Sequence, residues 1–462
     1  MMKDKKNLFP ILLLLLSVAS VYYLVQFRYD AGATYDHYMA EARNASASGL
    51  ESKAVENYLK AIEICPSDTL YYEVGQMYIS YDDYWNAKRW YENEMLAEYP
   101  KSVLTYKLGI EASIMREDYK EIINVYQTCQ KRELVNEEIE ALVDPYTNKY
   151  EITGSYAEVG AFSNSVRSAP VLEGDSNWKY IDPDGNSAVS GRYKKAEGFY
   201  AIKKDSNKKN DYVGHAAVIN VEGVPYIIDT SGNPAITGTN LTDANEDIEE
   251  ITEFRNESGN VLLAHSDKGW GFYDRQTFTL KIGQFEDATY FSNGVAAVTR
   301  DGSKWALIAT DGSEITGYDY DSIVSDIKGC ICRTNIIFAE KAKYYYLINR
   351  EGQTVSEQRY GRVKAFNDST LAAVNKDGKW LFVNDAGEEK SLGSFQDAES
   401  FSNGLAAVKN NGKWGYIDKE GNLVIDYQFE EAGPMSPYGA AFVKVGNGRW
   451  SLLKFYYYKY NK

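Results

Sequence analysis

Three patterns of hydrophobic and polar positions follow one another along the chain. An unbroken apolar run comes first, a segment with helical periodicity follows, and short stretches of alternating apolar and polar residues fill the rest. Apolar residues three and four apart predict amphipathic helices, whereas alternation predicts strands. The predicted divisions are a cytoplasmic amino terminus at 1–7, a transmembrane signal anchor at 8–27, a helical module at 34–143, a β-repeat domain at 154–455 and a tail at 456–462.

The apolar run LFPILLLLLSVASVYYLVQF, residues 8–27, contains no charged residue. A helix of this length, at about 1.5 Å per residue, spans the ~30 Å hydrocarbon core of a bilayer. Lysines precede the run, while Arg28 and Asp30 cancel after it, so the positive-inside rule predicts a cytoplasmic 1–7 segment. We expect a single-pass protein of the cell membrane with its bulk extracytoplasmic. The alternative is secretion after cleavage near Val18-Ala19-Ser20.

Small, aromatic and proline residues recur along the helical segment, pairing Ala54 with Ala87, Tyr58 with Tyr91, Pro66 with Pro100 and Gly75 with Gly109. A period of about 34 residues is the signature of stacked helix-turn-helix units. These positions resemble the tetratricopeptide repeat, most clearly at Gly49, Ala54, Tyr58, Ala61 and Pro66. The resemblance implies a concave groove that binds peptide segments of partner proteins. The alternative is a spacer that holds the next domain away from the membrane.

A second repeat fills residues 154–455, and its clearest copy is NGKWGYIDKEGN at 411–422. Eight copies align in register, and their aromatic position is held by Trp178, Pro225, Trp270, Trp305, Tyr345, Trp380, Trp414 and Trp450. A glycine closes the turn that follows in six of the copies, as in Asp418-Lys419-Glu420-Gly421; these glycines are Gly185, Gly232, Gly312, Gly352, Gly387 and Gly421. We interpret both sets as structural: the aromatic side chains pack in a shared core, and the glycines supply positive φ.

Each copy predicts three or four strands. FSNGVAAV at 291–298 and FSNGLAAV at 401–408 provide a first strand, and the Trp-containing segment that follows provides a second. Units of this kind, repeated radially, predict a β-propeller of about eight units, with a linear β-solenoid as the alternative. The predicted fold class is therefore multidomain α plus β: a transmembrane helix, a short tetratricopeptide-like α-solenoid and an all-β repeat domain.

The β repeats resemble the WG-repeat family, named for the Trp-Gly pair that Trp270-Gly271 and Trp414-Gly415 retain. Pro225 and Tyr345 depart from the pattern. The resemblance implies a repeat module of bacterial proteins that mediates interactions, with no family catalytic residues to transfer.

The formal net charge of −16 argues against a nucleic-acid partner, because phosphate backbones require clustered Lys and Arg. Cys65, Cys129, Cys330 and Cys332 form no disulfide framework or metal motif, and His37, His215 and His265 are isolated. The stretch Asp182–Asn186 lacks the closing glutamate of a calcium loop. The sequence therefore predicts no catalytic residue, metal or cofactor.

We expect a membrane-anchored, exported and non-enzymatic scaffold that binds protein partners through its repeat modules. The first alternative is a cell-envelope protein that binds cell-wall glycan through its aromatic residues. The second, less favoured, is a propeller-type extracellular enzyme. Because the shared positions are structural, function should lie where the copies differ.

Overall fold

The computed structural model describes residues 8–146, 149–174, 177–203, 212–258, 260–368, 371–446 and 448–455. The predicted amino terminus at 1–7 and tail at 456–462 lie outside these ranges. The chain divides into two compact units, Met1–Thr147 and Asn148–Lys462.

The first unit is helical. Its α-helices are Leu8–Ala47, Glu51–Ile64, Asp68–Ser80, Tyr84–Trp90, Leu96–Glu98, Val103–Ile114, Tyr119–Lys131 and Glu137–Val143, with a π turn at Tyr91–Met95 and a 3-10 turn at Asp144–Tyr146. Side-chain caps fix where several of them begin: Ser67 and Ser102 accept backbone N–H bonds at equivalent places in successive repeats, and so do Asp83 and Asp118.

The first helix corrects the prediction for residues 8–27. It does not end with the apolar run but continues through Arg28 and Asp30 to Ala47, where Met39, Ala42 and Ala45 are buried against the following helices. Over the described part of the chain, no helix combines the length and apolar character that crossing a membrane requires. The predicted transmembrane signal anchor, and the membrane localisation built on it, are therefore wrong, because the apolar residues begin a longer helix whose second half is polar.

Close approach and polar side chains hold the successive helices together. A Cβ at Gly109 would lie 2.7 Å from the Tyr91 ring, so the lack of a side chain permits this packing. Arg43 donates two hydrogen bonds to Glu73 at 2.7 and 2.9 Å, linking the first helix to the third. Tyr72 donates to Glu111 at 2.8 Å in the same way, one repeat further on. The helical unit is thus a regular stack.

The second unit consists of eight β blades within the described ranges, numbered here in chain order. Blade 1 has strands Glu158–Val159, Ala169–Glu173, Asn177–Ile181 and Ser187–Ala196; blade 2 has Tyr200–Lys203, Tyr212–Asn220, Pro225–Asp229 and Pro234–Thr237; blade 3 has Ile251–Ser258, Val261–Ser266, Gly269–Asp274 and Leu280–Phe285; blade 4 has Asp287–Ala288, Val295–Thr299 and Trp305–Ala309.

The remaining blades follow the same plan. Blade 5 has Ser322–Ile323, Ile336–Lys341, Tyr344–Asn349 and Thr354–Tyr360; blade 6 has Arg362–Val363, Ala372–Lys376, Lys379–Val383 and Glu389–Lys390; blade 7 has Asp397–Ala398, Ala406–Asn410, Lys413–Ile417 and Leu423–Phe429; blade 8 has Glu431–Ala432, Ala440–Lys444, Trp450–Phe455 and, as its fourth strand, Tyr150–Tyr156. A short helix, Gly238–Thr242, lies between blades 2 and 3.

The blades close into a ring. A hydrophobic core lies between every pair of successive blades, and an eighth core joins blade 8 to blade 1. In that core the rings of Phe162 and Phe442 stack at 5.2 Å between centroids. The strand Tyr150–Tyr156 pairs antiparallel with Trp450–Phe455, so the start of the unit completes its last blade. A linear β-solenoid would leave these edges open.

The predicted fold class is thus wrong in its membrane-spanning helix, whereas the β-repeat domain has a propeller-like architecture. One irregularity distinguishes blades 1 and 2. The strand Ser187–Ala196 serves blade 1 with its first half and pairs with blade 2 through Tyr193, Lys195 and Ala196, which merges the two blades into one sheet.

Candidate functional site

The aromatic repeat positions all lie on the third strand of their blade. Trp270, Trp380 and Trp414 are buried, and Trp178, Trp305, Tyr345 and Trp450 are half-buried; these side chains pack in the cores between blades, and Pro225 is buried at the same position of blade 2. Most of their aromatic surface is therefore used in packing. This arrangement leaves little of it for a ligand, except at the cavity described below.

The turn glycines adopt the left-handed backbone conformation. Their φ angles are 76–89° at Gly185, Gly232, Gly312, Gly352, Gly387 and Gly421. In the clearest copy, Asp418 Oδ1 accepts hydrogen bonds from the backbone N–H groups of Glu420 at 3.0 Å and Asn422 at 2.8 Å. The Asp182 carboxylate binds Asp184 and Asn186 in the same way. The aspartates of these turns are thus engaged by their own backbone.

A cavity of about 730 Å³ lies where the first strands of blades 1 to 5 converge. Its walls combine charged side chains with aromatic rings and small residues. They include Gly160, Pro170, Trp178, Glu197, Phe199, Tyr200, Ala201, Arg255, Asp287, Tyr290, Trp305, Lys328 and Arg333. Because five different blades contribute, the cavity lies on the axis of the ring.

The first strands supply the cavity wall in a common register. In seven blades the residue directly after a strand that pairs with the second strand of the blade donates its backbone N–H to that second strand, over 2.8–2.9 Å; these residues are Gly160, Glu197, Thr289, Val324, Lys364, Glu399 and Gly433. In blade 2 this strand is the end of Ser187–Ala196, which pairs through Lys195 and Ala196. Arg255, opposite Leu263, holds the matching place in blade 3. The backbone is therefore repeated around the axis, while the side chains at this position differ in size and charge from blade to blade.

Most charges around the cavity are compensated. Arg255 donates to Asp287 Oδ1 at 2.7 Å, and its guanidinium lies 3.9 Å from the centroid of the Trp270 ring. Arg333 forms an ion pair with the buried Asp326. Such pairs fix the geometry of the wall, because each buried charge has a partner.

Glu197 differs from these residues. It is half-buried, and burial raises the pKa of its carboxyl to about 7, with the charge of Glu253 adding to the effect and those of Lys195 and Arg255 opposing it. Within the described ranges, none of these charged residues forms a hydrogen bond or an ion pair with the Glu197 carboxylate. Glu197 is therefore a carboxyl in the cavity wall without a compensating contact.

In blades 4 and 7 a Phe-Ser-Asn-Gly loop connects the first strand to the second and contacts the next blade. Asn293 Nδ2 donates to the carbonyl oxygen of Cys332 at 3.0 Å, and Asn403 Nδ2 donates to that of Met435 at 2.8 Å. A smaller cavity of about 310 Å³ lies among these loops, beside Asn164 and Asn367. The repeated motif therefore has a bridging role between blades.

No sequence signal pointed directly to the cavity. Gly160 and Glu197 each end a segment of the pattern aromatic-x-x-Ala/Val-x, as Lys364 and Glu399 do, and only the residue type at the last position distinguishes them. Lys328 lies outside this pattern. The thiols of Cys330 and Cys332 are buried in the loop between the first two strands of blade 5. Within the described ranges, no group of three or more His, Cys, Asp or Glu residues is placed to hold a metal ion.

The sequence pattern described as WG containing repeat matches residues 270–305, 347–380, 382–414 and 414–450. The chain carries WG repeats. Each match runs from the third strand of one blade to the third strand of the next, within blades 3 to 8. The tetratricopeptide resemblance of the helical unit stays a prediction. No curated protein matches the chain in sequence.

Several solved structures are similar to the ring only in general form. BamB from Moraxella catarrhalis is 10% identical, with a TM-score of 0.36 over 66% of this chain and 100% of that one. A structure titled as the eukaryotic initiation factor is 11% identical, with a TM-score of 0.40 over 67% and 87%. The WD40 β-propeller domain of Doa1 is 10% identical, with a TM-score of 0.30 over 66% and 97%. The propeller-like description therefore depends on the closure of the ring itself.

Proposed function

We propose that the protein is a non-enzymatic interaction scaffold whose ring binds a segment of a protein partner in the axial cavity. The observation that supports the proposal is that shared and differing repeat positions have different roles. Most shared residues pack between the blades or form turns, whereas residues that differ between blades make up most of the wall of a cavity of about 730 Å³. A cavity of this size with aromatic and charged walls suits a few residues of an extended peptide.

A pair of matched substitutions in blade 2 tests this function. Ala201 lies on the first strand and lines the cavity, whereas Ala235 is exposed on the fourth strand. In full-length protein captured after cross-linking in the cells that produce it, we expect Ala201→Trp to lose a partner that both wild type and Ala235→Trp retain. Equal recovery with Ala201→Trp would contradict the cavity as the binding site, and the absence of any cross-linked protein would contradict the scaffold.

A second candidate, glycan binding, is favoured by Trp178 and Trp305, which are half-buried and both line the cavity. Aromatic rings offer flat apolar faces against which sugar rings can pack. Sedimentation of the protein with purified cell wall tests this function. We expect Trp178→Ala to reduce sedimentation if glycan is the ligand, with Trp85→Ala, at an exposed side chain of the helical unit, as the control.

A further inference from the structure

Two equivalent glutamates of the ring have different neighbours. Glu197 of blade 2 and Glu399 of blade 7 occupy the same register, since each donates its backbone N–H to an alanine carbonyl on the next strand, at 2.9 and 2.8 Å. The Glu399 carboxylate accepts a hydrogen bond from Lys364 Nζ of the preceding blade at 2.5 Å. Within the described ranges Glu197 has no such partner, and the preceding blade places Gly160 where blade 6 has Lys364.

Because Gly160 lacks the side chain that Lys364 has in blade 6, the side of Glu197 that faces the cavity stays open. Gly160 and Glu197 both line the axial cavity, and Pro170 lies beside them on the second strand of blade 1. A Cβ at Gly160 would meet Pro170 Cγ at 2.7 Å, so this glycine is required by its surroundings. Blade 6 has Ala373 at the position of Pro170, which leaves room for the Lys364 side chain.

The electrostatics of this space favour a cation. The two arginines of the wall already form ion pairs, Arg255 with Asp287 and Arg333 with Asp326. Burial is the largest cause of the raised pKa of Glu197, so a positive group beside its carboxyl would favour the ionised form. Phe199 and Tyr200 adjoin Glu197 in the wall, and aromatic faces attract cations.

We propose that the cavity receives the primary ammonium group of a lysine side chain from a partner peptide, which lies beside Glu197 as Lys364 Nζ lies beside Glu399. The inference rests on the proposed function, because it names the partner chemistry of the same cavity. The partner's lysine would thus form with Glu197 the same kind of ion pair that Lys364 and Glu399 form between blades 6 and 7.

The simplest probe is n-butylammonium, which copies the end of a lysine side chain, with n-butanol as its neutral counterpart. Saturation-transfer NMR on the full chain at 0.15 M salt measures binding of both. We expect saturable binding of the ammonium, at least tenfold weaker binding of the alcohol, and at least a tenfold loss in Glu197→Gln. Glu222→Gln, which alters an exposed carboxylate of the same blade, should bind as wild type does.

A second variant supplies the missing partner from within. Gly160→Lys combined with Pro170→Ala copies blade 6. The ammonium group of the introduced lysine should lie beside Glu197 and weaken binding of n-butylammonium at least tenfold. If this variant does not fold, Glu197→Gln alone decides. Equal binding of alcohol and ammonium, or unchanged binding by Glu197→Gln, would overturn the inference. The capture experiment with Ala201→Trp blocks the cavity without regard to charge, so its outcome judges the proposed function separately.

Discussion

Lys328 Nζ donates a hydrogen bond of 2.8 Å to Asn164 Oδ1, which joins blade 5 to blade 1. These blades lie opposite one another in the order of the ring. The loop between the first two strands of blade 5, residues 324–335, therefore reaches over the axis and closes one side of the cavity. Tyr438 of blade 8 donates to the Asn164 carbonyl at 2.9 Å, so this corner of blade 1 is held from two directions.

Lys328→Met should loosen that loop without unfolding the ring. A hydrogen bond from a charged donor contributes about 1.5–3 kcal/mol, so backbone amides of residues 324–335 should exchange with solvent roughly tenfold faster or more. Hydrogen exchange followed by mass spectrometry provides the measurement. Lys341→Met changes an exposed lysine of the same blade and should leave this exchange unaltered. Unchanged protection in Lys328→Met would mean that the loop is held by its other contacts.

Glu197 gives the ring a specific pH dependence. Its pKa is raised from near 4.5 to about 7, so between these values the folded chain retains a proton that the unfolded chain has released. The stability associated with this proton is fully present below pH 4.5 and is lost as the pH rises to about 7. Relative to wild type, Glu197→Gln should raise the free energy of unfolding by about 1–3 kcal/mol at pH 8 and have little effect at pH 4.

Urea unfolding of both proteins at the two pH values measures that difference. A difference of equal size at pH 4 and pH 8 would show that the gain is steric and unrelated to the titration of Glu197.

Phe442 is central to the closing core of the ring. Its ring stacks on Phe162 and meets Tyr156 edge-on at 6.1 Å. Phe442→Ala should therefore lower the free energy of unfolding by about 3–5 kcal/mol, through lost burial and the cavity left behind. Leu423→Ala, at a side chain that is 42% exposed, should cost less than about 1 kcal/mol. Similar losses from both substitutions would argue against a tightly packed closing interface.

The glycines of the helical unit allow an opposite pair of predictions. At Gly109 a Cβ would meet the Tyr91 ring, so Gly109→Ala should destabilise the unit by about 1–3 kcal/mol despite the better helix propensity of alanine. At Gly32 nothing lies within 4 Å, so Gly32→Ala should be neutral or stabilise by about 0.5–1 kcal/mol. Thermal unfolding followed by circular dichroism at 222 nm compares the two. Equal effects would show that packing at Gly109 is not limiting.

The regular part of the fold could be predicted because recurring residues mark the same strand and the same turn in each repeat. Trp414 and Gly421 mark a third strand and the turn after it, and the other copies follow the same spacing. The continuous strand Ser187–Ala196 could not be predicted, because the interval between two blades carries no distinct signal when no turn separates them. The anchor at 8–27 was inferred from an apolar run alone, which does not reveal that the helix continues to Ala47.

The candidate site was harder to predict than the fold for a related reason. Gly160 and Glu197 are 37 positions apart in the printed sequence and each ends an aromatic-x-x-Ala/Val-x segment, but only the hydrogen-bond pattern of the strands shows that they share one register around the axis. Their significance comes from comparison with Lys364 and Glu399. A periodic sequence shows which residues the repeats share, whereas the absence of a lysine beside Glu197 becomes visible only in the structure.

The pairing of Tyr150–Tyr156 with Trp450–Phe455 also sets the order of events during synthesis. The first of these strands leaves the ribosome about 300 residues before its partner, an interval of roughly 15–60 s at 5–20 residues per second. Throughout that time its hydrogen-bonding edge has no mate in the ring. The ring therefore closes only after Phe455 has been synthesised, and a nascent chain halted before that residue would present an open edge to chaperones or to other copies of itself.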